Sequence, residues 1–152
     1  MGYGLLPLRK KFMTFDIRTL AIAKTGVMAV RNAAGEKQFD DAGNPLTITV
    51  HSPGTKKFNQ ASHDVRTANS DRMVSKMQGK SDGKQTADDE ITESADFLAA
   101  ITISFDTFGS GDLTGYDLFE SVYANLEIGH IADDVRKFIN DRANFMRPEM
   151  RA

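Results

Sequence analysis

Three histidines are the residues of this chain best suited to acid–base or metal chemistry, and their spacing argues against both roles. His51, His63 and His130 each lack a second ligand at the short spacing that a zinc site needs. His63 and Asp64 have the residue types of a general base and its orienting carboxylate, but adjacent residues on a helix point apart. The preferred interpretation is a surface pair, so the sequence predicts no catalytic residue and no metal site here.

Two runs of consecutive acidic residues could instead bind a cation. One run is Asp88, Asp89 and Glu90, and the other is Asp133 with Asp134. Acidic residues are common near the start of a helix because they stabilise the positive end of its dipole. We therefore interpret both runs as acids of helix N-terminal turns rather than as metal ligands.

The glycine-rich segment after residue 105 resembles two binding loops and completes neither. Residues 106–117 place Gly111 where a calcium loop has its glycine, but Phe108 and Asp117 break the pattern at its third and twelfth positions. Gly109 and Gly111 are not followed by the Lys-Ser/Thr pair of a phosphate-binding loop. The chain has no cysteine, which excludes thiolate chemistry. The sequence therefore indicates a protein that is not an enzyme and that needs no cofactor.

Charge is strongly segregated along the chain, although the net charge is only −2. Residues 85–134 contain 12 acidic residues and no Lys or Arg, whereas residues 54–84 contain seven basic and three acidic residues. An acidic block repels nucleic acid and attracts a basic surface. That surface is either the chain's own basic segment or a protein partner, and both alternatives predict contacts that weaken in salt.

The length of 152 residues fits one domain. We interpret residues 1–12 as an N-terminal extension and residues 13–152 as a single α+β domain with a mobile loop near residues 78–86. No apolar run reaches the roughly 18 residues of a membrane-spanning helix, and the N-terminus lacks the charge order of a signal peptide. We therefore expect no membrane association.

Alternation of apolar and polar residues predicts a small antiparallel sheet within residues 27–50. The predicted strands, which turn-forming residues separate, are 27–30, 37–40 and 46–50. Ser52 is placed to cap the helix that follows, with Pro53 in its first turn.

Helical spacing of apolar residues predicts at least three helices after this sheet. One face of the first helix carries Phe58, Ala61, Val65 and Ala68. Met73 and Met77, one turn apart, suit either ordinary core filling, which is preferred, or an adaptable contact. The second helix begins near Thr86 and extends to Phe105, although residues 101–105 also alternate like a strand.

Two short amphipathic helices end the chain, which predicts an α+β fold with a small N-terminal antiparallel sheet followed by a mainly α-helical body. Because neither helix holds a catalytic constellation, their apolar stripes suggest a surface for protein contact. The stripes consist of Leu118, Phe119, Val122, Tyr123 and Leu126 in the first helix and Ile131, Val135, Phe138 and Ile139 in the second.

The order of these features resembles the tail assembly chaperones of long-tailed, non-contractile bacteriophages over about residues 13–146. The matching segments are the Gly-Asn-Pro turn with the strand 46–50, the apolar stretch 95–105, the segment 116–123 and the ending Asp141-Arg142-Ala143-Asn144-Phe145. The chain departs from the family pattern in having Gly54-Thr55 where a serine is usual and Phe105 and Phe108 where a tryptophan often follows.

This resemblance implies a non-enzymatic role in the host cytoplasm, namely binding the tape measure protein and keeping it soluble while tail tube subunits polymerise around it. It implies the tape measure protein, the tail tube protein and further copies of the chain as partners. The alternative is a structural virion protein of the tail or connector, such as a tube, terminator or completion subunit.

Four aromatic residues of the C-terminal segment are the candidate contacts for such a partner. They are Phe119, Tyr123, Phe138 and Phe145, and for each of them ordinary core packing is the competing interpretation. Since Phe145 lies near the end of the chain, where fraying reduces core contacts, we expect its replacement by Ala to weaken binding with little change in melting temperature.

Overall fold

A computed structural model describes residues 14–79 and 86–147 and confirms the predicted α+β class. The strands are β1 (Thr25–Ala29), β2 (Thr47–His51) and β3 (Thr102–Asp106). The helices are α1 (Lys56–Met77), α2 (Ala87–Ile101), α3 (Gly115–Tyr123) and α4 (Gly129–Asn140). Short 3-10 turns span Ile17–Leu20, Leu126–Ile128 and Arg142–Phe145. The extension predicted for residues 1–12, and residues 80–85 of the predicted loop, lie outside the described residues.

The sheet is antiparallel, with its strands in the order β1-β2-β3. The third strand, β3, lies in the chain between α2 and α3. The predicted strands 27–30 and 46–50 correspond to β1 and β2, whereas the predicted strand 37–40 is wrong. That segment forms the isolated bridges Arg31↔Lys37 and Phe39↔Pro45, and the Gln38 backbone donates to Val30 and accepts from Leu46. Turns at residues 32–36 and 40–44 follow directly on either side, so the pairing stays too short to form a strand.

The competing strand interpretation of residues 101–105 is correct except at Ile101, which ends α2, and the predicted continuation of α2 to Phe105 is wrong. Thr102 adopts extended backbone angles, and its hydroxyl donates to the Leu98 carbonyl at 2.7 Å, which satisfies one of the last carbonyls of α2. Period-two alternation with β-branched residues then favours the strand that pairs with β2.

Helix α1 begins three residues later than the sequence suggested, because Ser52 has a different role. Its side chain is fully buried and accepts from the Gly54 amide, while Thr55 is the residue that caps the helix. As predicted, Phe58, Ala61, Val65 and Ala68 turn towards the protein, but among the residues of α1 only Ala61 is buried.

One hydrophobic core joins the inner face of the sheet to α2, α3 and α4. The sheet contributes Met28, Ile48 and Val50, and the apolar stripes of the three helices face these residues. No helix in the described part of the chain is both long and apolar enough to span a membrane.

Candidate protein-binding surface

The apolar stripes of α3 and α4 form the core rather than a contact surface, which corrects the sequence interpretation of three candidate residues. Phe119, Tyr123 and Phe145 are buried, and Phe145 has no solvent exposure at all. In this fold a partner cannot reach them without opening the domain. Of the two stripes, Leu126 is the member that stays exposed.

Phe145 is buried because the chain folds back after α4. Asp141 caps the turn Arg142–Phe145 by accepting from the Ala143 amide, and the Phe145 carbonyl accepts from the Ala23 amide at 2.7 Å. The ring then packs edge-on against Phe138, with the centroids 5.3 Å apart. The expectation of a frayed, accessible Phe145 is therefore wrong.

Phe119 and Tyr123 belong to an aromatic cluster centred on Phe105. The ring centroid of Phe105 lies 4.7 Å from that of Phe119 and 5.9 Å from that of Tyr123. The Tyr123 hydroxyl is 2.7 Å from the Thr102 hydroxyl, and burial raises the pKa of Tyr123, so it stays protonated. These contacts pack α3 against β3 from Thr102 to Phe105.

Phe138 is the fourth candidate and is only partly buried. It borders a surface cavity of about 340 Å³ between β1 and α4, whose lining includes Met28, Arg31 and Lys137. Because its ring packs against the buried ring of Phe145, Phe138 contacts mainly the domain itself.

The acidic run at residues 88–90 lies in the first turn of α2 as predicted, whereas the prediction is wrong for Asp133 and Asp134, which follow the first turn of α4 because that helix already begins at Gly129. The histidines make hydrogen bonds or are partly buried in the described part of the chain. His63 lies 3.4 Å from the Thr67 hydroxyl, and His130 lies 3.0 Å from the Arg31 carbonyl. Partial burial lowers the pKa of His51, and the positive charge of Lys57 lowers it further by a smaller amount. Within the described residues, no three His, Asp or Glu side chains converge as a metal site would require.

The surface feature that the sequence did not reveal is the hairpin formed by α1 and α2. Arg72 on α1 pairs with Glu93 on α2 at 2.8 Å, and Phe58 packs edge-on against Phe97. Since these contacts follow a narrow line, grooves remain on both sides of it. We call the larger one, of about 480 Å³, the hairpin groove; it is lined by Ser62, Val65, Arg66, Glu90, Glu93, Ser94 and Phe97.

The second groove, of about 280 Å³, lies on the other side of the hairpin and is acidic. Its apolar lining consists of Ala61, Val65, Ala68, Phe97 and Ala100, and its polar lining of Asp64, Glu93, Asp96 and Tyr116. None of these lining residues, all from the described part of the chain, is Lys or Arg. We call this the acidic groove.

Like charges are crowded beside the acidic groove. The Tyr116 hydroxyl donates to Asp96 at 2.8 Å, and burial together with this hydrogen bond raises the pKa of Tyr116. Glu120 on α3 hydrogen-bonds to Asp96, which raises the pKa of Glu120. A nearby cation would relieve this crowding.

The distal end of α1 exposes apolar side chains, contrary to the preferred interpretation of its methionines as core. Met73, Val74 and Met77 have 67%, 49% and 83% of their surface exposed. They lie on one face of α1, next to Lys76. We call these four residues the helix tip.

The acidic block of residues 85–134 is only partly neutralised by the chain's own basic residues. Glu93 pairs with Arg72, and Asp133 pairs with Arg136 at 2.6 Å. The other acidic residues of this block form no ion pair with the basic residues of the described ranges 14–79 and 86–147. Most of its negative charge therefore faces solvent.

A scan against protein-family models gave no match, and searches of curated proteins and of solved structures gave none either.

Proposed function

We propose that this chain is a tail assembly chaperone of a long-tailed bacteriophage, which binds the tape measure protein in the host cytoplasm and keeps it soluble while the tail tube assembles. The observation that carries the proposal is the hairpin groove. It combines apolar Val65 and Phe97 with charged flanks. One of its two walls is α1, a described helix in which Ala61 is the only buried residue.

A groove of this kind suits an amphipathic helix. Such a helix places its apolar stripe between two helices of the host protein and its polar flanks against the charged edges. A long helical protein with an exposed apolar stripe aggregates unless a partner covers it.

A non-enzymatic role is supported by how the chemically capable side chains are used. His63 lies within hydrogen-bond distance of Thr67 one turn along α1, His130 lies 3.0 Å from the Arg31 carbonyl, and Asp89 caps α2 together with Thr86. We infer that the acidic residues act through their collective charge rather than through proton transfer.

The arrangement of elements favours the chaperone over a tube subunit of the virion. A subunit that builds a tube wall through its C-terminal half needs an extended sheet there. Over residues 86–145 the described chain instead forms three helices, and its strand there is β3, of five residues.

Co-expression with the tape measure protein of the same virus tests the proposal. We expect the wild-type chain to keep that protein in the soluble fraction and to co-purify with it. Val65→Asp, which places a charge in the hairpin groove, is expected to abolish both effects. Val27→Asp is the matched control, because Val27 is exposed on the outer face of the sheet.

Two outcomes would contradict the proposal. One is a tape measure protein that remains insoluble beside the folded wild-type chain. The other is a Val65→Asp variant that solubilises it as well as Val27→Asp does, which would remove the hairpin groove from the contact.

A further inference from the structure

We propose that the outer edge of β1 binds an extended segment of a partner polypeptide, which adds to the sheet as a further strand. The site consists of the outward-facing backbone N–H and C=O groups of Thr25, Val27 and Ala29, together with the cavity between β1 and α4. We call it the edge site. This inference is independent of the proposed function, since it concerns a surface other than the hairpin groove and can be tested without the tape measure protein.

Alternate residues of β1 direct their backbone groups away from β2. The two strands pair in unbroken antiparallel register, and the Val30 amide donates to the Leu46 carbonyl at 2.9 Å. Because hydrogen-bonded pairs alternate along an antiparallel ladder, Gly26 and Met28 also bond to β2, and the three residues of the edge site face the other way. Within the described ranges, the backbone groups of the edge site have no hydrogen-bond partner.

The same edge already has polar partners at both of its ends. The Ala23 amide donates to the Phe145 carbonyl at 2.7 Å, and Nε2 of His130 lies 3.0 Å from the Arg31 carbonyl oxygen. Both partners belong to the C-terminal part of the described chain. The edge site is the gap between these two contacts, and an extended backbone offers donors and acceptors at the spacing that fills it.

Strand β1 lacks the features that protect the edges of a sheet from pairing. Such edges are commonly protected by a bulge, a proline or a charged side chain. The sequence of β1, Thr-Gly-Val-Met-Ala, has neither a proline nor a charged residue. The opposite edge strand, β3, has a register shift opposite Thr49 and Val50 and carries the charged Asp106. Of the two edges, β1 is therefore the one suited to accept a strand.

The cavity beside this edge offers contacts to the side chains of an added strand, which alternate between the two faces of the sheet. Its apolar lining is Met28, Ala29 and Phe138, and its polar lining is Arg31, Asp134, Lys137, Asp141 and Asn144. The basic and acidic residues of this lining balance. The site therefore suits a segment of little net charge with an apolar side chain facing Phe138.

A single extended segment fits this edge better than the β1 strand of a second copy. A Cβ atom at Gly26 would lie 3.0 Å from the ring of Phe138, so α4 lies beneath β1. Two β1 strands paired antiparallel would lie about 4.8 Å apart and would bring both α4 helices to the same face. Packed helices need about 8–10 Å between their axes, which that spacing does not provide.

Selection from a random display library of peptides of about six residues, the usual length of a strand, tests the inference on the full chain. We expect selected peptides to bind the wild type and Val27→Thr equally. They should bind Val27→Pro roughly tenfold or more weakly, because proline removes an outward donor and its ring blocks the approach. Edge strands tolerate proline where the N–H faces outward, and circular dichroism checks that this variant is folded.

Two measurements on the wild type keep the test independent of that variant. Methylation of the peptide nitrogens that face β1 should abolish binding, whereas methylation of the alternate nitrogens should not. Bound peptide should also slow amide hydrogen exchange at Thr25, Val27 and Ala29, while Gly26 and Met28, which already bond to β2, change little.

The inference would be overturned by a library that yields no binding peptide. Peptides that bind Val27→Pro as tightly as Val27→Thr, or that tolerate methylation of either set of nitrogens, would also overturn it. Edge-site amides that are protected in the dilute chain without peptide would show that another part of the chain covers the edge. Protection that appears only at high protein concentration would show that a second copy is the occupant instead.

Discussion

Phe145 holds the end of the described chain against the sheet through a close contact with Gly26. A Cβ atom at position 26 would lie 2.5 Å from Cε1 of the Phe145 ring and 3.0 Å from the Phe138 ring, so only glycine fits there. Because Phe145 is fully buried, its aromatic ring closes the core on this side.

Phe145→Ala should therefore lower the free energy of unfolding by about 3–5 kcal/mol, the usual effect of removing a buried phenylalanine. Gly26→Ala should lower it by about 1–3 kcal/mol, since the added methyl group overpacks the same contact. Urea denaturation measures both changes. Phe15→Ala, at an exposed position, is the control, and an equally small effect for Phe145→Ala would contradict this packing.

The sequence suggested the opposite result for Phe145, and the reason is physical. Position near the chain end predicts fraying. The contacts that hold Phe145 in place come instead from residues far away in the sequence: Gly26 lies against its ring, and the Ala23 amide donates to its carbonyl. Apolar periodicity identifies the buried face of a helix, and it did so for Val135 and Ile139. It carries no information about a turn that folds back onto a distant strand.

Glu120 gives the domain a pH dependence of its own. Because the hydrogen bond to Asp96 raises the pKa of Glu120 in the folded state, the folded chain binds this proton more tightly than the unfolded chain. Stability should therefore rise as pH falls from above the raised pKa towards the unfolded value. Glu120→Gln removes the repulsion and should raise the melting temperature at pH 7 while reducing this rise. Thermal melts across that pH window test it, and unchanged melts would show that the pair is not crowded in solution.

At the scale of elements, the two helix starts at α2 and α3 have similar sequences and different structures. Thr86 and Asp89 form a complete capping box, with each side chain hydrogen-bonded to the other residue's backbone amide at 3.1 Å. Thr114 begins α3 with no side-chain cap, although Asp117 follows at the same spacing. The Thr-x-x-Asp spacing at Thr114 resembles a capping box in the sequence, but the box forms at α2 and not at α3.

This difference predicts unequal effects of the same substitution. Thr86→Ala should cost about 1 kcal/mol, as the loss of an N-cap does, whereas Thr114→Ala should be close to neutral. Chemical denaturation of the two variants measures the difference. Equal losses would mean that the capping box of α2 contributes little to stability.

The elements that the sequence predicted well are those whose signal is local. Strands β1 and β2 alternate clearly, and the apolar faces of α3 and α4 recur at helical spacing. The third strand was harder to predict, because residues 102–106 continue the apolar pattern of α2 and become a strand only by pairing with β2. The α1–α2 hairpin surfaces depend on how two helices cross, which their separate sequences do not specify.

For the whole molecule, the dominant feature is an acidic surface, of whose residues Glu93 and Asp133 form ion pairs with described basic residues. The sequence predicted this block but left self-pairing and partner binding open. In the described residues the basic helix α1 does pack on the acidic helix α2, and Arg72–Glu93 is the ion pair between these two helices. Self-pairing among the described residues is thus limited, and the side chains of Asp88 and Glu90 are exposed to a partner.

Under the proposed function, the exposed charge of Asp88 and Glu90 predicts that binding to the tape measure protein weakens as salt is added. Exposed charges are screened beyond about 10 Å at 0.1 M salt, so affinity should fall between about 50 mM and 500 mM NaCl. Titration of the chain with a soluble tape measure fragment at several salt concentrations measures the slope. Glu90→Gln, at the edge of the hairpin groove, should flatten that slope, whereas Glu127→Gln, away from the groove, should leave it unchanged. An affinity that does not depend on salt would show that the acidic surface takes no part in the contact and that only apolar packing in the groove holds the partner.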